Sequence, residues 1–422
     1  MALMSAVMLD QFAAAERERQ ARIERGWRRY HGEWPDPLRP TRSDPRGEDN
    51  IRLNFARLIV DKGAGFLFRG EPRLEVDGDG DGEADRWLAR CWEANRKMTT
   101  LHRLAVNGGV CGHAFLRVRR QPGAEFPRVV VPDPAHVSVR WEADDFEEVT
   151  AYHLHWHGVD PKTARPVAFR QVLERDGDRW LITDQESRGD DAAWVDRGPP
   201  EVWPFAWPPL FGCQNLPCPN EWWGLSDLEE DLLRINQAIN FVASNVARIL
   251  RLHAHPKTWG KGFQASELSI GVDETIVLPD PSSELQNLEM KSDLASSLEL
   301  FRELRGTLHE LARVPEVATG KVEDLGQLSG LALQILYGPL VELTETKRLL
   351  YGELLQEVSR RLLELGGFGT NHRVRVYWPE VLPRDPRGEA ETARLYAELG
   401  VSRETLLARL GFDPEAEARR SG

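Results

Sequence analysis

The chain has little cysteine. Cys91, Cys111, Cys213 and Cys218 are four thiols in 422 residues, with neither a CxxC pair nor the dense spacing of a disulfide framework. A reducing, cytoplasmic setting for assembly is the expectation. No stretch approaches the roughly 20 apolar residues that crossing a bilayer requires, so no membrane is expected as a partner. Residues 1–20 turn charged after a short apolar run and offer no cleavage site, so no signal peptide is expected either. Positive charge is also short: 54 Lys and Arg stand against 67 Asp and Glu, a net −13. That argues against wrapping nucleic acid tightly, since affinity for the phosphate backbone rests on clustered cations. It does not argue against letting DNA slide past, because a surface of the phosphates' own sign gives the duplex nowhere to stick.

Enzymatic signatures are missing as well. There is no GxxxxGK(S/T) phosphate loop; Gly260-Lys261-Gly262 and Gly320-Lys321 lack the spacing and the following Ser or Thr. GxSxG, HExxH and paired CxxC are absent, so neither catalysis nor a cofactor is expected. Two stretches imitate metal sites. Asp77-Gly78-Asp79-Gly80-Asp81-Gly82 puts oxygen ligands at alternate positions, but the twelfth, where a bidentate Glu would close a calcium loop, is Leu88. An acidic surface turn is the better reading. His153, His155 and His157 share one face of a strand and would suit a metal-dependent hydrolase. Three collinear residues spread over about 13 Å at strand rise, too far for one ion without a bend. A half-exposed strand face is the preferred account.

What is present is an ordered series of helices and short strands. Fourteen tryptophans point to aromatic anchors in packed sheets or subunit interfaces. Helices are expected over 5–30, with a thin apolar face, and over 54–66, 85–95 and 100–108, with a Pro-rich connector at 35–45 and a strand at 113–119. Between 128 and 207 the pattern alternates in short Val-, Trp- and Tyr-rich runs parted by Pro, Asp and Gly, as in an antiparallel sheet of hairpins. Leu225, Leu228, Leu232, Ile235, Ile239, Val242, Val246 and Ile249 then recur alternately three and four apart, a heptad seam that packs helix on helix. Ser226 and Glu229 read as the capping box that opens it.

Proline-punctuated pieces fill 253–290, with a strand at 274–278, and a second helix is expected over 293–313. Pro315, Gly320, Gly326 and Gly330 mark a loop at 314–330 that holds Lys321. A helix of roughly 50 Å follows at 331–365, kinked at Gly338-Pro339, where Pro339 has no N–H for the carbonyl of Ile335. A strand at 373–378 and two short helices within 389–420 close the chain.

This order of elements resembles the portal proteins of tailed bacteriophages, the dodecameric head-to-tail connectors. Local stretches carry the resemblance too: Asn54-Phe55-Ala56-Arg57-Leu58-Ile59-Val60-Asp61 with Gly65-Phe66-Leu67-Phe68-Arg69-Gly70-Glu71-Pro72, and Val131-Pro132-Asp133-Pro134 with Val137 and Val149-Thr150-Ala151-Tyr152. Gly224 to Glu229 with Ile235-Asn236-Gln237-Ala238-Ile239-Asn240 and Ser244 is similar to the family's stem opening, and Val401-Ser402-Arg403-Glu404-Thr405 with Leu410-Gly411 to its C-terminal helix pair. Arg69 departs from the pattern as an insertion, and the region after Pro383 is short.

The resemblance implies an α+β portal fold. It divides the chain into an α/β wing at 1–223 with 366–383 returning to it, a two-helix stem at 224–252 and 291–313, and a small α/β clip at 253–290. A tunnel loop at 314–330, the long kinked helix at 331–365 and a short helical crown at 384–422 complete it. In that layout Leu232, Ile235, Ile239, Val242 and Val246 pack the stem, and Thr319, Gly320, Lys321 and Gln327 meet DNA in the channel. The implied partners are further copies of the chain in a ring, double-stranded DNA, terminase, a major capsid or scaffold protein, and a head-completion or tail adaptor. The competing readings are another minor capsid or adaptor ring protein, and the hydrolase built on the three histidines.

Overall fold

A computed structural model describes residues 6–42, 44–142, 144–160, 163–188, 193–254, 258–261, 282–287, 294–319, 330–382 and 386–409. The described chain mixes helix and sheet and forms two compact units. The first comprises Met1–Glu24, Ile59–Asp227 and Arg313–Gly422, and the second comprises Arg25–Leu58 and Leu228–Ala312. The expected segments divide the chain differently: the part of the N-terminal region at 25–58 groups with the helices that follow Asp227.

The first unit is organised around β2 (His113–Arg119), the strand with the bounds expected from sequence. Its residues are buried almost without alternation, because α4 (Lys97–Cys111) and α7 (Gly330–Leu365) both pack on it. β10 (Leu210–Gln214) and β3 (Arg128–Val130) flank it, both antiparallel. A six-stranded antiparallel sheet is built from β4 (Val137–Trp141), β5 (Val149–Val159), β6 (Pro166–Asp176), β7 (Arg179–Ser187) and β8 (Val195–Asp196) in that order, with β9 (Glu201–Trp203) also on β7. The hairpins expected from alternation are therefore present, several residues longer than the apolar runs that mark them. β1 (Arg73–Asp77), β8, β9 and β10 were not legible in the sequence pattern. β1 pairs antiparallel with β13 (Arg373–Tyr377), Val76 opposite Val374.

α7 buries Tyr351, Leu354, Leu355, Val358, Leu362 and Leu363, spaced three and four apart on one face. α3 (Glu83–Ala94) packs on it, and the Trp92 indole N–H donates to Ser359 Oγ at 3.0 Å. The helix ends on a left-handed glycine. Gly367 takes a left-handed φ of 88°, its N–H bonds the Glu364 carbonyl, and the Phe368 N–H reaches back to Leu363. Pro339 lies inside the helix, as expected.

The segment that imitates a calcium loop is a turn that opens α3. Asp79 Oδ2 accepts from the Asp85 N–H, Asp81 Oδ1 from the Glu83 N–H, and Asp77 pairs with Arg375 across the β1–β13 ribbon. α1 (Ala6–Tyr30) shows the thin packed face expected of it. Within the first unit, its Arg19 is buried, donates to the carbonyls of Pro134 and Val137, and lies 3.8 Å over the Trp223 ring. α8 (Pro386–Glu398) and α9 (Arg403–Arg409) are the described part of the C-terminal helix pair.

In the second unit α5 (Glu230–Ala254) packs against α6 (Leu294–Leu311), and β11 (Thr258–Lys261) pairs antiparallel with β12 (Glu284–Asn287). The strand expected at 274–278 lies outside the described residues. α5 begins later than the seam and the expected capping box suggest. The Ser226 hydroxyl bonds the carbonyls of Gly109 and Val110, and the Leu225 N–H bonds Leu216 in an isolated bridge. Those contacts hold both residues off the helix, which starts at Glu230.

Candidate functional site

α5 carries two stripes, and only one was read from sequence. The unread one is polar: Asn236, Asn240, Ser244 and Arg248, each four residues from the last and hence on one helix face. It grips the irregular stretch at 51–54, whose backbone is in neither helix nor sheet, and the first turn of α2 (Phe55–Leu67) after it. Asn236 donates to the Leu53 carbonyl (2.9 Å) and accepts from the Ala56 N–H (3.3 Å). Asn240 Oδ1 accepts from the Leu53 N–H at 2.9 Å, and Ser244 Oγ from the Ile51 N–H at 2.8 Å. Arg248 and Arg251 close the ladder on Asp49, at 3.1 and 2.7 Å. Asn236, Asn240 and Ser244 are almost fully buried, so these bonds stand in for the ladder that a strand would have found in a sheet. The signal for it was a run of polar residues at four-residue spacing inside an apolar helix.

The apolar stripe is placed on α5 but covered unevenly. Leu232 and Ile239 are buried, at 3% and 0% exposure, whereas Ile235, Val242 and Val246 are half-buried. Phe241 and Leu250 on α5, and Leu298, Leu300 and Leu311 on α6, are each about half exposed. On the same helix Leu308 is buried. A single chain thus leaves much of the helix pair's apolar surface in water.

The loop expected after α6 is described only at its ends. Val314 is buried, and residues Glu316–Thr319 form one 3-10 turn in which the Ala318 N–H bonds Pro315. Gly320, Lys321 and Gln327 lie outside the described residues, and Thr319 is placed at the end of that turn. At the start of α7, Gly338 and Pro339 are in helix, with Ile335 at 69% exposure beside them.

α7 is anchored in the first unit by a buried ion pair. Lys347 Nζ lies 2.7 Å from both carboxylate oxygens of Asp227, with side-chain exposures of 3% and 5%. Asn215 donates to Asp227 Oδ1 at 3.0 Å and accepts from the Tyr351 hydroxyl at 3.2 Å. α4 makes room with two glycines. A Cβ on Gly109 would sit 2.8 Å from Asp227 Oδ2, and one on Gly108 would collide with the Tyr351 hydroxyl. Lys347 and Asp227 are 120 positions apart, so nothing in the sequence announces the pair.

His153 and His155 occur side by side on β5 with ring centroids 6.2 Å apart. Burial and the guanidinium of Arg140 push His153 down to about 4, and burial and Arg170 push His155 down. Two permanent cations beside the imidazoles oppose a metal dication there. Among the described residues no group of three or more His, Cys, Asp or Glu is arranged to hold a metal ion.

No curated protein matches the chain. Among solved structures it is similar to a chain of the virion of a native gene transfer agent particle, at 15% identity and a TM-score of 0.46, covering 85% of this chain and 88% of that one. A chain of the neck of the empty particle, computed with C6 symmetry, is similar at 16% identity and a TM-score of 0.47 with the same coverage. A chain of the native neck, computed with C12 symmetry, is similar at 16% and 0.43, again with that coverage. Residues 9–165 match the family described as phage portal protein, SPP1 Gp6-like. That range includes three of the stretches on which the sequence resemblance rests, 54–72, 131–137 and 149–152, and the phage portal proteins are the family this chain matches.

Proposed function

We propose that the chain is one subunit of a portal, the ring at one capsid vertex through which double-stranded DNA is packaged and later ejected. The family match over residues 9–165 carries this reading. The half-exposed apolar positions on α5 and α6 support it, because a subunit that completes its core against neighbours leaves such surface bare when alone. In this reading α5 and α6 form the stem, 314–330 the tunnel loop, β11 and β12 part of the clip, and α8 and α9 a short crown. The sheet-rich first unit supplies most of the wing.

The role is mechanical, with no catalysis of its own. Twelve copies at −13 each carry −156, so the channel is repulsive to phosphate in sum and DNA passes without being held. Terminase docks on the ring during packaging, and a head-completion or tail adaptor replaces it in the virion. Negative-stain imaging with native mass spectrometry of the purified protein tests the reading. Rings of about twelve subunits are expected from the family resemblance; a stable monomer or dimer at micromolar concentration would overturn it.

A further inference from the structure

Among the described residues, Arg348 on α7 is a buried cation without an anion. It is 9% exposed, and its Nε and Nη2 are enclosed with no hydrogen-bond partner. The guanidinium lies 5.1 Å from the centroid of the Trp378 ring. Glu345, one turn earlier on α7, is the carboxylate whose charge reaches it, but Glu345 is exposed and no ion pair joins the two. A second guanidinium borders the same segment. Arg69, the insertion in the family pattern, donates to the Val381 carbonyl at 2.6 Å. Gly70 beside it is so near Pro379 that a Cβ there would come within 2.9 Å of that ring. Neither arginine is paired with a carboxylate among the described residues.

A guanidinium cannot answer burial by giving up its proton, so Arg348 stays charged and unpaired inside the fold. Burial lowers its pKa against the pull of Glu345, the mark of desolvation without a close counter-charge. The Trp378 face attracts the cation yet leaves its N–H groups without acceptors. With Nε and Nη2 enclosed, Nη1 is the nitrogen that an acceptor from outside can meet. The chain beside this group is apolar and bare. Leu349, next in sequence to Arg348, is 71% exposed, and Tyr377, next to Trp378, is 42% exposed.

An enclosed arginine, two aromatic rings and a bare leucine have the composition of an interface core, where Arg, Trp and Tyr carry most of the binding energy. A small free anion would answer the charge but leave Leu349 and Tyr377 uncovered. The partner must bring both a carboxylate and apolar surface, and a chain with 67 Asp and Glu has carboxylates to bring. We propose that this face of α7 receives a second copy of the chain, which presents a carboxylate to Arg348 as it covers Leu349. In a ring each copy meets its neighbours through two different surfaces, so the carboxylate comes from a patch other than the one holding Arg348. The inference rests on the portal reading for its partner and on first-unit residues alone for its geometry.

The test reads subunit and ring separately in the full-length chain. Arg348→Met keeps an apolar stem beside Trp378 and removes the charge. In the unassembled subunit, kept apart by dilution, the variant is expected to melt no lower than the parent, because the charge it loses is unpaired there. The concentration at half-assembly, read by analytical ultracentrifugation, is expected to rise about thirtyfold, the effect of a hot-spot arginine. A merely structural arginine would lower both stabilities together, and that result, or unchanged assembly, overturns the proposal. Arg348→Lys, in rings mixed from two isotope-labelled pools, supplies an amine that carbodiimide joins to a touching carboxylate with loss of water. Cross-links between differently labelled chains are expected by mass spectrometry; their absence, or cross-links confined to one chain, overturns the proposal. So does phosphate that raises the melting temperature of the parent subunit and not of Arg348→Met, which would assign the group to a small anion. A parent chain that forms no rings sinks the portal reading and this one together. Rings that tolerate Arg348→Met leave the portal reading standing and remove this one alone.

Discussion

Lys347→Met isolates the anchor of the long helix. The substitution keeps most of the side chain's length and apolar stem and removes only the ammonium. Asp227 would then keep, among the described residues, a single side-chain hydrogen bond, from Asn215, with its carboxylate about 5% exposed. Breaking a buried pair by removing one partner costs about 3–5 kcal/mol, because the remaining charge is left desolvated and unpaired. The pocket cannot relax toward water easily, since Gly63 and Gly109 bring α2 (Phe55–Leu67) and α4 against the same carboxylate. The chain is expected to lose that much in urea unfolding followed by near-UV circular dichroism, where the buried aromatics report. Adding Asp227→Asn removes the orphaned charge, so Lys347→Met/Asp227→Asn is expected to recover more than half of the loss. A single variant within about 1 kcal/mol of the parent, or a double variant no better than the single, would refute the reasoning.

Other perturbations read other links of the argument. His113 is neutral when folded, with a pKa lowered by burial from 6.5 to about 3, so its contribution is present in full above about pH 6.5 and is lost as pH falls toward 3. The loss is at most about 5 kcal/mol, and pH-dependent melts of His113→Phe are expected to be flatter in that window. Asn240→Leu strands the Leu53 N–H and is expected to cost about 1–3 kcal/mol, with faster hydrogen exchange at 51–56; unchanged exchange there would count against the ladder. Ile239→Asp puts an unpaired charge at a fully buried position and is expected to cost several kcal/mol and to abolish rings in size-exclusion chromatography. Lys321→Ala is expected to leave assembly intact and to alter DNA packaging or retention, with deletion of 321–327 more harmful; normal filling of deleted particles would make the loop a bystander.

Periodic elements were legible because their signal is local. β2, the long helix and the antiparallel hairpins between 137 and 187 all follow from the spacing of apolar residues within one element. Elements whose identity depends on a distant partner were not. β1 has only Val76 buried, so it shows no alternation, and its mate β13 lies some 300 residues away. The start of α5 failed for the same reason. Ser226 and Glu229 fit a capping box, but a local signature cannot reveal that the Ser226 hydroxyl donates to two carbonyls of α4 and that the helix starts only at Glu230. The Lys347–Asp227 pair and the stack of Trp222 on His113 join residues more than 100 positions apart, and neither charge nor aromaticity has a period to follow.

The sharpest departure concerns which face of α5 is spent inside the chain. Sequence reading assigns the apolar seam to packing and gives the intervening polar positions no part in it, whereas exposed polar residues are the general rule. In the structure Asn236, Asn240 and Ser244 are nearly inaccessible, while Ile235, Val242 and Val246 are only half covered. Polar residues bury here because the stretch at 51–54 and the first turn of α2 present N–H and carbonyl groups that would otherwise be unpaired, and amide side chains can both donate and accept. Once that face is occupied, the apolar seam packs on α6 among the described helices, and that two-helix contact leaves part of it uncovered. The uncovered remainder is then a consequence of the intramolecular hydrogen-bond ladder. On the proposed reading neighbouring subunits cover it, so the polar face fixes each α5 within its own chain and the apolar face joins one chain to the next.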